Sequence, residues 1–305
     1  MSLTRTCRVG VDLGGTGTRA ISIIDGAVAI AKDIPTALLG AGTERERIDQ
    51  LTDLIADVIP EGIALEQVGI GASGPVDVRT GIIHNEATLP WFSGFPLPEQ
   101  LGANLRVPVG IDNDAVAAAF GEHSLGAGRG ADRLLMVTLG TGVGVAMLID
   151  GSPLRGRYSA HPEGGHIPTS SDTYRCYCGL TGCWEQQASR TALQNTLSQA
   201  MDGAVPTKRL IVDAMNKAST DRRIQEAFED YGEAVGRGLA ALHTLYQPER
   251  TVLGGSAAVC LPLIRGSIYS ATHRSTEFSV EVDVRSAKLG DNAGAIGAAL
   301  RISQF

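Results

Sequence analysis

Two stretches of the chain share one pattern, RVGVDLGGTGTRAISIIDG at residues 8–26 and LLMVTLGTGVGVAMLIDG at residues 134–151. Each predicts a strand, a glycine-rich turn, a second strand and a tight Asp-Gly hairpin. Leu13-Gly14 aligns on Leu139-Gly140 with an offset of 126, and Asp25-Gly26 aligns on Asp150-Gly151 with an offset of 125. This internal repeat at domain scale predicts two related halves, each led by a hairpin that wraps a phosphate.

The segments around the repeat alternate between strand and helix patterns. A capping box, Thr43 with Glu46, precedes a helix, and short apolar strands are expected at 68–72, 109–111 and 251–253. A long helix is expected over 221–246, a strand near 278–284 and a closing helix over 293–302. Together these elements predict an α/β fold.

Length and charge limit the classes of function. The 305 residues are enough for two domains, and the net charge of −7 comes without a basic stripe, so no nucleic-acid partner is expected. No apolar run reaches the length of a membrane span, and the N-terminus lacks the apolar core of a signal peptide. We therefore expect a cytoplasmic protein with no membrane partner.

The two glycine turns are candidate phosphate sites. Glycine lets backbone N–H groups face an anion without interference from Cβ, and a carboxylate at the strand end, here Asp12, can hold Mg²⁺ through water. Two structural β-turns are the alternative, but a repeated pair favours a clamp on the phosphates of a nucleotide. The candidate residues are Gly14, Gly15 and Thr16 in the first turn and Gly140, Thr141 and Gly142 in the second.

The triplet Asp112-Asn113-Asp114 lies between a predicted strand and the start of a helix. A lone Asp there is most often a helix cap. Three polar residues at the end of a strand in a doubly wound sheet also indicate a ligand site. Asp114 is the candidate base that takes a proton from a hydroxyl as the hydroxyl attacks a γ-phosphate.

The cysteines point to a metal. His166 is followed by Cys176, Cys178 and Cys183, and three thiolates with one imidazole predict a closed, structural zinc site, with three unpaired buried thiols as the alternative. Cys7 and Cys260 stand in apolar surroundings and are expected to be buried structural residues. The metal loop would fix two carboxylates near His166, those of Glu163 and Glu185, in a set that suits a polyol.

These motifs resemble those of the ROK family of sugar kinases, in order and over essentially the whole chain. The family motifs correspond to Asp12–Thr16, Gly71–Pro75, Asp112–Ala115, Gly140–Gly144, Glu163–His166 and Cys176–Glu185, with Gly254-Gly255 resembling a late loop on the nucleotide side.

The resemblance implies an actin-like two-domain fold, of the duplicated ribonuclease H-like type, with a cleft between the domains. The first domain would span residues 1–114 together with the C-terminal helix, about 291–305, and the second, residues 115–290, would carry the zinc loop. A homodimer is common in the family.

The resemblance also implies an ATP-dependent hexose kinase that phosphorylates a sugar hydroxyl, usually O6. Asp114 would be the base, and zinc would be held by His166, Cys176, Cys178 and Cys183. The sugar contacts would be Gly74, Asn113, Glu163, His166 and Glu185. Mg²⁺ and ATP would be bound by Asp12, Gly14, Gly15, Thr16, Gly140, Thr141, Gly142, Gly254 and Gly255.

Three departures from the family pattern bear on the sugar. Asp112 stands where Glu is frequent, residues 159–162 are poorer in glycine, and Thr88 stands where Asn is common. The acceptor therefore stays open among hexoses and N-acetylhexosamines, and polyphosphate stays open as a donor. The alternative functions are a non-catalytic sugar sensor and a structural actin-like protein. A DNA-binding repressor of the same family is disfavoured, because the first strand is expected near residue 8, which leaves no room for a helix-turn-helix domain.

Overall fold

The computed structural model of the chain describes residues 5–273 and 282–301. The strand predicted near 278–284 falls largely outside these residues, as does Ile302 at the end of the predicted closing helix.

The elements alternate along the chain much as the sequence predicts. The strands are β1 (Thr6–Leu13), β2 (Gly17–Ile24), β3 (Ala27–Pro35), β4 (Ala64–Ala72), β5 (Val76–Asp77), β6 (Ile82–Ile83), β7 (Val109–Asn113), β8 (Arg133–Leu139), β9 (Val143–Ile149), β10 (Ser152–Pro153), β11 (Arg250–Gly254) and β12 (Val284–Ser286). The helices are α1 (Glu44–Ala56), α2 (Leu97–Leu105), α3 (Asp114–Leu125), α4 (Glu185–Ala188), α5 (Arg190–Ala200), α6 (Lys208–Lys217), α7 (Arg222–Tyr246), α8 (Leu261–Thr272) and α9 (Ala293–Arg301).

The chain divides into two compact units with matching sheets. Unit one comprises Met1–Gly130, Gly151–Pro162 and Lys288–Phe305, and unit two comprises Ala131–Asp150 and Glu163–Ala287. In unit one the strand order is β3-β2-β1-β4-β7, with β1 antiparallel to β2 and parallel to β4. In unit two the order β9-β8-β11-β12 repeats this plan, with β8 antiparallel to β9 and parallel to β11.

The backbone explains why the two sequence copies differ by one residue. Leu13 pairs with Thr18 across the first glycine turn, which leaves four residues in the loop, whereas Leu139 pairs with Val143 across the second, which leaves three. The Asp-Gly turns are alike in both copies, with φ of 52° and 81° at Asp25 and Gly26 and of 50° and 72° at Asp150 and Gly151. Positive φ at both positions is the geometry of a two-residue hairpin turn.

The C-terminal helix α9 packs against the sheet of unit one at backbone distance. A Cβ added at Gly10 would lie 1.8 Å from the carbonyl oxygen of Ala295, and one at Gly69 would lie 2.0 Å from that of Ala298. Only glycine permits this approach. On the other face of the sheet, Val9, Val11 and Leu13 join the core formed with α1 and α2.

Helix α3 belongs to unit one, so the first division of the chain comes later than the domain boundary predicted after Asp114. The helix packs along α9, where a Cβ added at Gly297 would meet the carbonyl oxygen of Ala117 at 1.8 Å, and unit one therefore extends to Gly130. Residues 151–162 also belong to unit one, whereas the sequence prediction assigned both segments to the second domain. The difference arises because packing between α3 and α9 is invisible in a local pattern.

Unit two is built around the 25-residue helix α7. Its N-cap is Asp221, whose side chain accepts a hydrogen bond from the N–H of Arg223, so the helix starts within one residue of the predicted position. No helix in the described parts of the chain combines the length and the apolar character needed to cross a membrane.

Candidate active site

The first glycine turn is held by a threonine on the neighbouring segment. Gly14 donates its N–H to the carbonyl oxygen of Gly17 at 3.1 Å, and Thr36 donates its hydroxyl to the carbonyl oxygen of Gly14 at 2.6 Å. The N–H of Thr36 donates to the carbonyl oxygen of Thr16 at 3.1 Å. A Cβ on Gly15 would lie 2.3 Å from the methyl group of Thr88, so the turn packs directly on one of the residues that depart from the family pattern.

Asp12 lies at the end of β1 beside this turn. Its register partner on β2 is Arg19, whose guanidinium forms an ion pair with Asp33 on β3 and donates to the Oδ1 of Asn292 at 3.0 Å. Burial, and next the charge of Asp114, raise the pKa of Asp12 to about 7, and Arg19 opposes them. An acid with this pKa gains from a nearby divalent cation, which would restore its charged form.

Asp114 begins α3, where Asn113 caps the helix by accepting the N–H groups of Ala115 and Val116. Ser73 donates its hydroxyl to one carboxylate oxygen of Asp114 at 2.7 Å, and the N–H of Ala115 donates to the other at 2.8 Å. Burial raises the pKa of Asp114 above its ordinary value, and the hydroxyl of Ser73 acts in the opposite direction. The result is a fixed carboxylate that is more basic than one in water.

Asp112, buried at the end of β7, forms an ion pair with Arg155. Burial raises the pKa of Asp112, and the guanidinium of Arg155 lowers it by less. Arg155 also donates to the carbonyl oxygen of Ser159 at 3.3 Å. Through Arg155, two departures that are far apart in sequence, Asp112 and the glycine-poor loop, contact the same guanidinium.

The glycine-poor loop at residues 159–162 contains a non-glycine residue in the left-handed backbone conformation. Ser159 has φ of 62°, a conformation that glycine adopts at no cost and that a side chain makes less favourable. His161 is buried, and desolvation together with the positive charge of Arg155 lowers its pKa to about 4. A neutral imidazole therefore lines this loop at physiological pH.

The second glycine turn binds a carboxylate. Glu185, the first residue of α4, accepts the N–H of Val143 at 2.9 Å, and a Cβ on Gly142 would lie 2.3 Å from the same carboxylate oxygen. Gly255, with φ of 77°, has no room for a Cβ, which would lie 2.6 Å from the backbone of Leu139. The two nucleotide loops predicted in unit two are therefore in direct contact.

The four predicted metal ligands form one cluster. One ligand atom from each of His166, Cys176, Cys178 and Cys183 can be chosen so that all lie within 4.8 Å of one another. The Sγ atoms of Cys178 and Cys183 are 3.6 Å apart, and the Sγ of Cys176 is 3.6 Å from the Nδ1 of His166. Ligands of a tetrahedral zinc at about 2.3 Å lie roughly 3.8 Å apart, so the donor set and its spacing fit zinc.

Two residues that sequence reasoning missed complete this loop. The hydroxyl of Tyr177 lies 3.1 Å from the Nε2 of His166. Desolvation, and next the carboxylate of Glu185, raise the pKa of Tyr177. Trp184 follows Cys183 in the chain and is fully buried. It donates its indole N–H to the carbonyl oxygen of Ala234 at 2.9 Å and so anchors the loop to α7.

The remaining predicted residues fall into two groups, one in each unit. In unit one, Asn113 donates its amide to the carbonyl oxygen of Gly74 at 3.2 Å, so these two residues adjoin Asp114. In unit two, the carbonyl oxygen of Glu163 accepts the N–H of His166 at 3.0 Å in a turn that packs on β9. Sequence reasoning also missed Ser73, Arg155 and Arg190, whose partners are 41 to 66 residues away in the chain and leave no local signal.

Known proteins resemble this chain over almost its full length. The model of the ROK family matches residues 8–304. A glucokinase from Streptomyces coelicolor is 31% identical over 314 residues, which cover 95% of this chain and 96% of that protein. The crystal structure of a ROK family glucokinase from Streptomyces griseus in complex with glucose and AMPPNP is similar with a TM-score of 0.80 and 31% identity, covering 96% of this chain and 98% of that one.

A ROK hexokinase from Thermus thermophilus gives a TM-score of 0.81 and 32% identity, covering 97% of each chain. These similarities confirm the predicted actin-like, two-domain α/β fold. By sequence and by structure, the chain belongs to the ROK family.

Proposed function

We propose that this protein is an ATP-dependent hexose kinase that transfers the γ-phosphate of ATP to O6 of the sugar, with Asp114 as the general base. The observation that carries the proposal is the position of the Asp114 carboxylate. Ser73 and the N–H of Ala115 fix its two oxygens, and burial raises its pKa. A base of this kind can accept the hydroxyl proton while the oxygen attacks phosphorus.

The acceptor side of the reaction is assigned to Gly74 and Asn113 in unit one and to Glu163, His166 and Glu185 in unit two. Carboxylate and amide oxygens accept hydrogen bonds from sugar hydroxyls, and each carboxylate can accept two. The relative from Streptomyces coelicolor is a glucokinase, which favours glucose as the acceptor over N-acetylhexosamines. The loop at Ser159 and His161, together with Thr88, is where we expect the selectivity for the sugar to differ from that of relatives.

The donor side is assigned to Asp12 with Gly14, Gly15 and Thr16 of the first glycine turn. The donor residues of unit two are Gly140, Thr141, Gly142, Gly254 and Gly255. Mg²⁺, which accompanies ATP in such reactions, would neutralise charge on the phosphates, and Asp12 is the residue that would hold it. Exclusion of water from the site would keep the phosphate from hydrolysis.

A structural zinc would be held by His166, Cys176, Cys178 and Cys183, whose spacing fits a closed tetrahedral site. When bound, the ion would cross-link the loop that carries Tyr177 and precedes Glu185. We propose no chemical step for it, because a site with four protein ligands leaves no open position for a substrate.

The first experiment is an ADP-release assay with Mg²⁺ and ATP against a panel of hexoses and N-acetylhexosamines. We expect turnover that is best with glucose, and NMR of the product should place the phosphate on O6. The variant Asp114→Asn should bind the sugar with an unchanged dissociation constant and lose at least about 10³-fold in kcat.

The matched control is Asp53→Asn, an exposed carboxylate on α1, which should keep wild-type turnover. Near-normal turnover of Asp114→Asn would refute the assignment of the base. Sugar binding without turnover on any acceptor, with ATP or with polyphosphate, would instead support a sugar sensor.

The zinc assignment has its own test, elemental analysis of the purified protein. One zinc per chain is expected in the wild type, and none is expected in Cys178→Ser. Loss of the ion should weaken sugar binding about tenfold, because the loop next to Glu185 is no longer cross-linked. Cys260→Ser, at a buried cysteine outside the cluster, is the matched control and should retain the metal.

A further inference from the structure

Arg190 joins the two nucleotide loops of unit two, and neither composition nor motif singled it out. Its backbone N–H donates to the carbonyl oxygen of Gly140 at 2.8 Å. Its guanidinium donates through Nη2 to the hydroxyl of Thr141 at 2.9 Å and through Nη1 to the hydroxyl of Ser256 at 3.1 Å. One side chain thus bridges a residue of the second glycine turn and the residue that follows Gly255.

The elements around Arg190 hold it firmly in place. Ser189, the N-cap of α5, accepts the N–H of Ala192 at 3.2 Å and donates its own N–H to the carbonyl oxygen of Glu185 at 3.1 Å. Thr191 adds a hydrogen bond from its hydroxyl to the carbonyl oxygen of Thr141 at 3.2 Å. The guanidinium is therefore a fixed feature beside the glycine turn, not a mobile surface charge.

The guanidinium has donors to spare. Two of its N–H groups donate to protein hydroxyls. Its Nε is buried and has no hydrogen-bond partner. A guanidinium carries five N–H donors arranged for planar anions and phosphates. The second N–H of each Nη atom, beyond these two hydroxyl contacts, is the donor left for a phosphate oxygen.

The glycine turn beside Arg190 presents donors of the same kind. Within the described residues, 5–273 and 282–301, the N–H groups of Thr141 and Gly142 donate to no backbone or side-chain acceptor. Free backbone N–H groups in a glycine turn next to a guanidinium are the ingredients of a phosphate site.

We propose that Arg190 binds a phosphate of the phosphoryl donor and, by bridging Thr141 and Ser256, couples the two loops that hold it. The proposal rests on the proposed function for the identity of the donor, which is a nucleoside triphosphate. Inorganic polyphosphate has the same phosphate chemistry, and the experiment separates the two sources.

The test compares binding of ADP, adenosine and inorganic tripolyphosphate to wild type, Arg190→Met and Arg190→Lys by calorimetry. We expect Arg190→Met to raise the dissociation constant of ADP at least tenfold. The dissociation constants of adenosine and glucose should stay within twofold of the wild type. The KM for ATP should rise by the same factor as the dissociation constant of ADP. Arg190→Lys should recover part of the ADP affinity, because it keeps the charge but cannot bridge both hydroxyls.

Arg209→Met removes an exposed arginine of the same unit and should change none of these constants. The proposal is overturned if Arg190→Met leaves the affinity for ADP unchanged. It is also overturned if the variant lowers the affinity for adenosine as much as that for ADP, because an equal loss means a general distortion of the loops. Melting temperatures identify a variant that has failed to fold, and Arg190→Lys then carries the comparison alone.

The two hypotheses can fail separately. If the wild type binds ADP but phosphorylates no sugar, the kinase assignment fails, and the ADP-to-adenosine ratio in Arg190→Met still decides the role of Arg190. If tripolyphosphate binds more tightly than ADP and shows the same dependence on Arg190, the guanidinium serves an inorganic donor. If the wild type binds neither ADP nor tripolyphosphate, both proposals are wrong.

Discussion

The two glycine hairpins share a topology but differ in the charge that surrounds them. In unit one the strand ends beside the hairpin carry Asp12 on β1 and Asp112 on β7, and Asp114 follows directly. In unit two the equivalent position to Asp12 is Thr138, and the neighbouring strands β11 and β12 end at Gly254 and Ser286. The two units keep the same backbone plan, while the residues at their strand ends differ in charge.

The difference separates the chemistry that each unit could supply to the proposed phosphoryl transfer. The partly buried carboxylates of Asp114 and Asp12 in unit one are suited to a proton and a divalent cation. In unit two, the hydroxyl of Thr141 and the guanidinium of Arg190 are suited to phosphate oxygens. Variants at these positions test whether a negative charge is needed beside the first hairpin only.

The largest effect on stability is expected at the buried ion pair of unit one. Arg155→Met leaves Asp112 buried without its partner, and we expect a loss of about 3 kcal/mol in the free energy of unfolding at pH 8. The loss should be smaller at pH 5, because the unpaired carboxyl takes up a proton as the pH falls. Urea unfolding at both pH values measures this.

The matched control is Arg222→Met, which removes an exposed pair with Glu226 and should cost less than about 1 kcal/mol. Adding Asp112→Asn to Arg155→Met should restore part of the stability. A double variant that is less stable than Arg155→Met would contradict the assigned pair.

The next effect concerns the carboxylate that has no counterpart in the second hairpin. Asp12→Asn should lower kcat by about 10²- to 10³-fold, because the residue proposed to hold the cation of the donor is lost. Thr138→Val, at the equivalent position, should stay within about twofold of the wild type. Equal losses in the two variants would remove the distinction between the hairpins.

The carboxylate of Asp12 should also lower the free energy of unfolding of the protein without bound ligands. The pKa of Asp12 is about 7 in the folded chain and near 3.8 when unfolded, so ionising it opposes folding as the pH rises between these values. Asp12→Asn should therefore be more stable than the wild type by about 1–3 kcal/mol at pH 8, and the gain should disappear near pH 4. Thermal unfolding across this range provides the measurement, and a gain that persists at pH 4 would point to another cause.

The smallest effect separates the contacts of the two turns. Gly142→Ala would place a methyl group against the carboxylate of Glu185, so we expect the KM for the sugar to rise about tenfold with kcat little changed. Gly15→Ala meets Thr88 instead, and it should leave the position of Glu185 and the zinc content unaffected. An unchanged sugar KM in Gly142→Ala would show that the contact between the second turn and Glu185 does not set the affinity for the sugar.

Local chemistry explains why much of the architecture could be predicted. The capping box of Thr43 and Glu46 is present as expected, and the two Asp-Gly turns have the positive φ angles that their residues favour. The metal cluster was predictable too, because three of its four ligands lie within eight residues of one another. Each of these features depends on spacing along the chain, which a sequence displays directly.

Contacts between distant segments could not be predicted in the same way. The compact units divide the chain after Gly130 and not after Asp114, because α3 packs on α9 through Gly121 and Gly297. Likewise, no sequence pattern near Arg155 or Arg190 predicts that these residues pair with Asp112 and Thr141, respectively.

The sequence by itself determined the family, the repeated hairpins and the residue types available for proton, metal and phosphate chemistry, since these follow from composition and spacing. Only the tertiary structure decided which of those residues are fixed and how their pKa values shift. Burial and through-space charge set both properties, and both arise when segments far apart in the chain pack together.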